Sequence, residues 1–258
     1  MSISLLNYFV ISQLTAFIFL FARIGAALMV MPGIGDPYVS PRMRLIIAVA
    51  ISIVLTPLMQ DRMPAMPDSI ITLTLFLIGE ILIGAFIGMI ARTILSALHT
   101  AGTIIAYQSS LAVSSIFDPV TGAQTAVLSN FMTIVAMTLM FILNIHHLLI
   151  ASVVESYQLF VPGVFPSIED MSKLQIRMVA DCFTLGVLLA APHIVFSFIF
   201  NLMNGLMARL MPNFQIFFVM MSPQIIIAFL LMFAILPVVM EVFVDFMQDQ
   251  LQYFVGDR

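Results

Sequence analysis

Glu80 and Arg92 stand inside the apolar run TLFLIGEILIGAFIGMIARTIL. An ionised side chain at the centre of a bilayer costs about 2.5–3.5 kcal/mol, so each of them calls for a reason to be there. Between and beyond them Glu80, Gly84, Gly88, Arg92, Ser96 and Thr100 recur every four residues. On a helix that spacing makes one slowly winding stripe of small and polar groups. At 1.5 Å of rise per residue Glu80 and Arg92 lie about 18 Å apart along the axis, so they cannot pair with each other. Two chemistries suit the stripe. One is close helix packing of the Gly-xxx-Gly kind, in which small residues let backbones approach. The other is a proton or ion relay running through Glu80, Arg92 and Glu155.

The pattern returns later as His193, Ser197, Asn201, Gly205 and Arg209, and again as Glu241, Asp245 and Asp249. Carboxylates near a helix carboxy end oppose the macrodipole by a few tenths of a kcal/mol each, which points to water or a basic partner at that end. Three helices with such stripes suit a chain that packs against several neighbouring helices, and Glu80, Gly84, Gly88, Arg92, Ser197, Asn201, Gly205 and Arg209 are the expected contacts between subunits. The alternative is that the stripes meet one another within one chain.

Other chemistry-bearing residues form no site. His146 and His147 in NIHHLLI are adjacent, so a regular helix turns them about 100° apart and they do not share one ion. Ser109, Ser110, Ser114 and Ser115 lack the strand-turn-helix pattern of a nucleophile elbow. A Gly-rich phosphate loop is missing, and a single cysteine, Cys182, provides neither a disulfide framework nor a multi-cysteine metal centre. No catalytic residue, cofactor ligand or metal ligand is therefore assigned, and a non-enzyme is expected. The 21 methionines are flexible thioethers suited to irregular gaps, or to an adaptable seal around a passing chain.

The elements that must carry these stripes follow from composition. Of 258 residues 62% are hydrophobic and 9% charged, against about 25% charged in a soluble domain, and mean hydropathy is +1.16. An integral membrane protein is expected, with about six crossings at roughly 20 residues each. Apolar segments span 8–31, 43–60, 70–98, 126–151, 176–205 and 214–247. No basic stretch precedes the first, so a cleavable signal is not expected, and no basic run suggests nucleic acid. Under six crossings Arg62, Lys173, Arg177 and Arg258 share one side, while Arg42, Arg44, Arg92 and Arg209 share the other. The positive-inside rule returns a tie, a hint that six plain spans in lipid are not the whole arrangement. Pro162 and Pro166 mark the clearest boundary.

Several motifs, in order, resemble the FliR family, an export-gate subunit of flagellar and virulence-type type III secretion. They are the Arg23 segment running to Pro32, SPRMR at 40–44, TAGTIIAYQSSLAVSSIFDPVTGAQ at 100–124, Asn144 with His146 in NIHHLLI, and ARLMPNFQIFF. Ser109–Ser110, Met221–Ser222 and His147 depart from the family pattern. The resemblance implies an all-α membrane protein whose helical hairpins pack into a spiral hetero-oligomer with FliP-like and FliQ-like subunits. It implies a FliP-like part over 1–161, containing segment 106–124, and a FliQ-like part of two helices over 162–258. It further implies an FlhB-like neighbour, rod proteins and exported substrates in transit, in the bacterial inner membrane at the flagellar basal body.

Within LAVSSIFDPV, one helical turn gathers Val113, Ile116 and Phe117 on a single face. Asp118 then ends the turn, because the residue before Pro119 is pushed out of the helical region. Ser114 and Ser115, with Ser109 and Ser110, offer local hydrogen bonds to the backbone. A small apolar knob on a soft polar stretch suits a pore plug at Val113–Pro119, and the resemblance implies the same. A re-entrant connection that merely packs is the alternative. At the level of function, a non-catalytic channel subunit stands against a secondary transporter using the Glu/Arg relay.

Overall fold

A computed structural model describes residues 2–64, 67, 69–111, 124–211 and 216–255, and among them the regular elements are helices without a strand. Helix α1 spans Ser2–Val30, α2 Pro41–Met59, α3 Ile70–Gln108, α4 Gln124–Ile142, α5 Ile145–Leu159, α6 Ile168–Leu210 and α7 Ile216–Val255. A short 3-10 turn, Gln60–Arg62, follows α2. Among the described residues five helices are long and apolar enough to cross a membrane, and α4 with α5 forms a bent pair that would make a sixth span. The expected all-α membrane architecture is present.

Local chemistry sets the boundaries. Ser40 accepts a hydrogen bond from the Met43 amide at 3.4 Å, and Pro41 occupies the first helical position of α2. A hydroxyl acceptor followed by a pre-set φ satisfies amides that the first turn leaves without partners. Ser167 does the same for α6, accepting from the Asp170 amide at 3.3 Å, with Glu169 and Asp170 favourable in the first turn. The expected segment 126–151 is in fact two helices, because Asn144 takes a left-handed φ of 59° after α4 ends. Asparagine tolerates that conformation where most L-residues do not. Helices α3, α6 and α7 run well past bilayer length, at 39, 43 and 40 residues.

The chain forms two compact units that do not follow its order. One comprises Met1–Thr93, Asn144–Met178 and Gln248–Arg258, the other Ile94–Leu143 and Val179–Met247. In the first, α1 packs on α2, and Phe19, Leu20, Ile24 and Leu28 of α1 are buried, as are Ile83, Ile87 and Ile90 of α3. In the second, a Cβ on Gly102 would lie 2.6 Å from the Ser129 Cα, so α3 and α4 touch backbone to backbone there. Thr103 and Ser129 hydroxyl oxygens are 3.1 Å apart beside that contact. Gly186 of α6 likewise sits against the Ala97 carbonyl and Thr100 of α3. Lipid tails are as apolar as leucine, so close approach at small residues and hydrogen bonds between helices carry the packing that water would otherwise drive.

Replacing Gly102 by Ala is expected to cost about 1–3 kcal/mol, since the added methyl meets backbone that cannot yield. Gly25→Ala, with nothing within 4 Å, is expected to leave stability unchanged or slightly improved. Thermal melting of detergent-purified protein, followed by loss of the monodisperse peak, compares the two.

Candidate functional site

The four positions Glu80, Gly84, Gly88 and Arg92 face α1 of the same chain, one rung at a time. At the first rung the Arg23 guanidinium grips the Glu80 carboxylate with two nitrogens, Nε to Oε2 at 2.6 Å and Nη2 to Oε1 at 3.1 Å. At the second, a Cβ on Gly84 would run into the Arg23 carbonyl and the Ala26 methyl. At the third, a Cβ on Gly88 would be 2.8 Å from the Ala27 carbonyl and 2.9 Å from Val30 Cβ. At the fourth, Arg92 Nε donates to the Val30 carbonyl at 3.0 Å, and its Nη2 donates to Asp36 Oδ1 at 2.8 Å. These four positions, expected at contacts between subunits, lie against α1 in this chain. What the sequence pattern missed is Arg23, a lone cation seven residues from the end of α1, whose burial is explained by the carboxylate it meets.

The two ion pairs differ in kind. Arg23 and Glu80 have 0% and 2% of their side chains exposed, whereas Arg92 is 51% exposed and Asp36 16%. Arg23 also donates from Nη1 to Ser156 Oγ at 3.1 Å and from Nη2 to the Phe160 carbonyl at 3.2 Å, at the carboxy end of α5. Its guanidinium carbon lies 3.7 Å from the Tyr157 ring centre, on the face where the π-cloud attracts cations. Asp36, in turn, organises the α1–α2 loop. Its Oδ2 accepts from the Gly33 amide at 2.8 Å and its carbonyl from Arg44 Nη2 at 2.5 Å. Gly33 has φ +83°, and a Cβ on Gly35 would be 2.6 Å from two carbonyl oxygens, so both glycines are demanded by the turn.

The relay reading needs Glu80, Arg92 and Glu155 to communicate. Each is engaged elsewhere: Glu80 by Arg23, Arg92 by Asp36, and Glu155 by Gln158, three residues further along α5.

In the second unit the stripe of α6 changes character along its length. His193 and Ser197 are 1% and 2% exposed, and His193 Nε2 lies 3.4 Å from the Ala228 carbonyl. Asn201 hydrogen-bonds back to Ser197 Oγ at 3.3 Å but is itself exposed, as are Gly205 and Arg209. Glu241, Asp245 and Asp249 are exposed on α7. The His146 and His147 rings sit 4.2 Å apart, and among the described residues no three His, Cys, Asp or Glu side chains are grouped to hold a metal.

The expected plug residues Val113, Ser114, Ser115, Ile116, Phe117, Asp118 and Pro119 lie outside the described residues. The approach to them is described. Gln224 of α7, 6% exposed, donates from Nε2 to the Gln108 carbonyl at 3.0 Å, in the last turn of α3. Ser109 folds its hydroxyl back onto the Ile105 carbonyl at 2.7 Å, and Ser110 takes φ 59°. Leu111 then borders an apolar groove of about 520 Å³ with Val127, Leu128, Phe131, Phe229, Met232 and Phe233. Such a lining accepts apolar side chains and offers nothing to a charged ligand.

The family model described as "Bacterial export proteins, family 1" matches residues 14–250. The chain is 39% identical over 235 residues to the flagellar biosynthetic protein FliR of Caulobacter vibrioides, a stretch covering 91% of this chain and 93% of that protein. It is 27% identical over 237 residues to the protein of that name from Bacillus subtilis, covering 90% of each. With the one from Escherichia coli it shares 26% over 230 residues, covering 89% of this chain and 87% of that protein.

The two ion pairs should separate cleanly on mutation. Glu80→Ala strands the Arg23 guanidinium in a site closed to solvent and is expected to cost about 3–5 kcal/mol, enough to abolish accumulation in the membrane. Arg92→Ala removes a half-exposed pair and is expected to cost about 1 kcal/mol or less. Membrane abundance and denaturant midpoints of the two variants test the contrast.

Proposed function

The chain belongs to the bacterial export proteins, family 1, and from that premise we propose that it is a membrane-embedded component of a flagellar protein-export apparatus. In this reading it is the FliR-like subunit of the export gate, joining FliP-like and FliQ-like chains around a pore for unfolded flagellar proteins. Residues 1–161 supply the FliP-like part and 162–258 the FliQ-like part, with an FlhB-like chain and rod proteins as neighbours in the inner membrane at the basal body. The observation that carries it is the family match over 14–250, with 39% identity across 91% of the chain to a flagellar biosynthetic protein.

The bare end of α6 supports an assembled state. Over 201–210 every residue but Asn204 is exposed, and Asn201, Gly205 and Arg209 lie among Leu202, Leu206 and Leu210. An amide and a guanidinium amid such apolar surface are poorly served by acyl chains, and well served by polar groups on a neighbouring helix. Ser197, Asn201, Gly205 and Arg209 are therefore the subunit-packing stripe that this reading retains. Glu80, Gly84, Gly88 and Arg92 act within the chain.

The subunit is non-catalytic in this reading, and takes no cofactor. Segment Val113–Pro119 serves as the plug, with Val113, Ile116 and Phe117 as its apolar face. Leu111, which leads into that segment, borders a groove lined by aromatic and aliphatic side chains, a suitable seat for such a face. The secondary-transporter alternative loses its footing because its three ionisable groups have separate partners.

Weighing the intact complex purified with its native partners tests membership of the assembly, and a single chain emerging well folded and alone would overturn it. Changing Val113, Ile116 and Phe117 together to Ala is expected to leave assembly intact while raising ion conductance across the membrane. Unchanged conductance with normal export would remove the plug.

A further inference from the structure

The connection between α5 and α6, residues 160–167, is a docked strap. Pro162 and Pro166 are buried while Val161, Val164 and Phe165 point outward. Gly163 turns with φ +82°, and a Cβ there would meet Pro64 at 3.2 Å and Phe76 at 3.4 Å. A Cβ on Gly79 would rest 3.7 Å from Pro166 Cδ and 4.0 Å from Phe165 Cδ2. The Phe160 ring meets Phe86 edge-on with centroids 6.4 Å apart. Along α3, the face from Phe76 to Phe86 therefore carries the strap, and Glu80 sits in the middle of that face.

These contacts are apolar and, in an apolar surrounding, weakly directional. The Arg23 guanidinium is different. It reaches from α1, is held by both oxygens of Glu80, and donates further to Ser156 Oγ and to the Phe160 carbonyl, the first of the strap. The Phe160 amide is already committed to the Ser156 carbonyl at 2.8 Å, and Ser156 Oγ to the Val153 carbonyl at 2.6 Å. A planar fork fixed at one edge by a carboxylate presents its other edge in one orientation, which a flexible ammonium does not.

We propose that Arg23 is a positioning residue for the strap: the Glu80 carboxylate orients the guanidinium so that it holds the end of α5 and the Phe160 carbonyl against α3, fixing where α6 begins. The pair's worth then lies in geometry, because two buried charges replaced by apolar side chains of similar size often leave stability unchanged. The inference stands independently of the export reading.

The test uses the full chain in native membranes with its partners present and Cys182→Ala as background. Gly79→Cys with Phe165→Cys reports the docked strap through a short bifunctional thiol reagent. Thr103→Cys with Ser129→Cys reports the fold elsewhere, from positions whose oxygens are 3.1 Å apart. Into each, Arg23→Met with Glu80→Met is introduced. Strap cross-linking is expected to slow about tenfold, the scale of losing one charge-assisted hydrogen bond, while the control pair links at its original rate. Unchanged strap cross-linking would overturn the proposal. Equal slowing of both pairs would overturn it too, by making Arg23 and Glu80 a general requirement of the fold. Should the double variant not accumulate, Arg23→Lys reads the same rates: slowing at the strap alone supports positioning, and a rate equal to the parent's refutes it.

Discussion

A guanidinium and a carboxylate shut away from solvent set the terms for one half of this molecule. Neither Arg23 nor Glu80 is tolerable alone at 0% and 2% exposure, so α1 and α3 must meet at one register, with those two residues opposite each other. Once they do, Gly84 and Gly88 fall against the α1 backbone, and Arg92 falls beside the Val30 carbonyl and Asp36. The four-residue period of α3 is thus a consequence of matching one helix to another along four rungs. The small residues give close approach, and the charges at either end decide which approach is the right one.

The second half is held by weaker and more numerous devices. Gly102 and Gly186 admit neighbouring backbones, Thr103 and Ser129 share a hydroxyl contact, and Gln224 bonds a carbonyl at the end of α3. These hydrogen bonds join uncharged groups. Packing in an apolar medium without a strong directional anchor leaves shape to small residues and single hydrogen bonds.

Much of the architecture was legible in the sequence because hydropathy is a strong signal for membrane helices. Segment 43–60 came within two residues of α2, and the start of α3 at Ile70 was read directly. The ends of the long helices were harder. The first turn of α6 was hidden because Glu169, Asp170 and Lys173 read as a connection, although Ser167 three residues before Asp170 is a capping signal that could have placed it. The break at Asn144 was hidden inside a continuous apolar run, since one left-handed residue leaves no trace in hydropathy. Periodicity located the α3 stripe and could not say what faced it. A period tells which residues share a face, and the partner depends on long-range pairing of Arg23 with Glu80 across 57 positions of chain. Family membership was legible in TAG…Q…DP and its neighbours, whose order is maintained by the whole chain.

The last ten residues of α6 carry a further meaning. A segment nearly bare on every side, mixing leucine with an amide and a guanidinium, is at ease neither in hydrocarbon nor in water. That end of the helix sets opposite demands on one short stretch: apolar surroundings for Leu202, Leu206 and Leu210, hydrogen-bonding ones for Asn201 and Arg209.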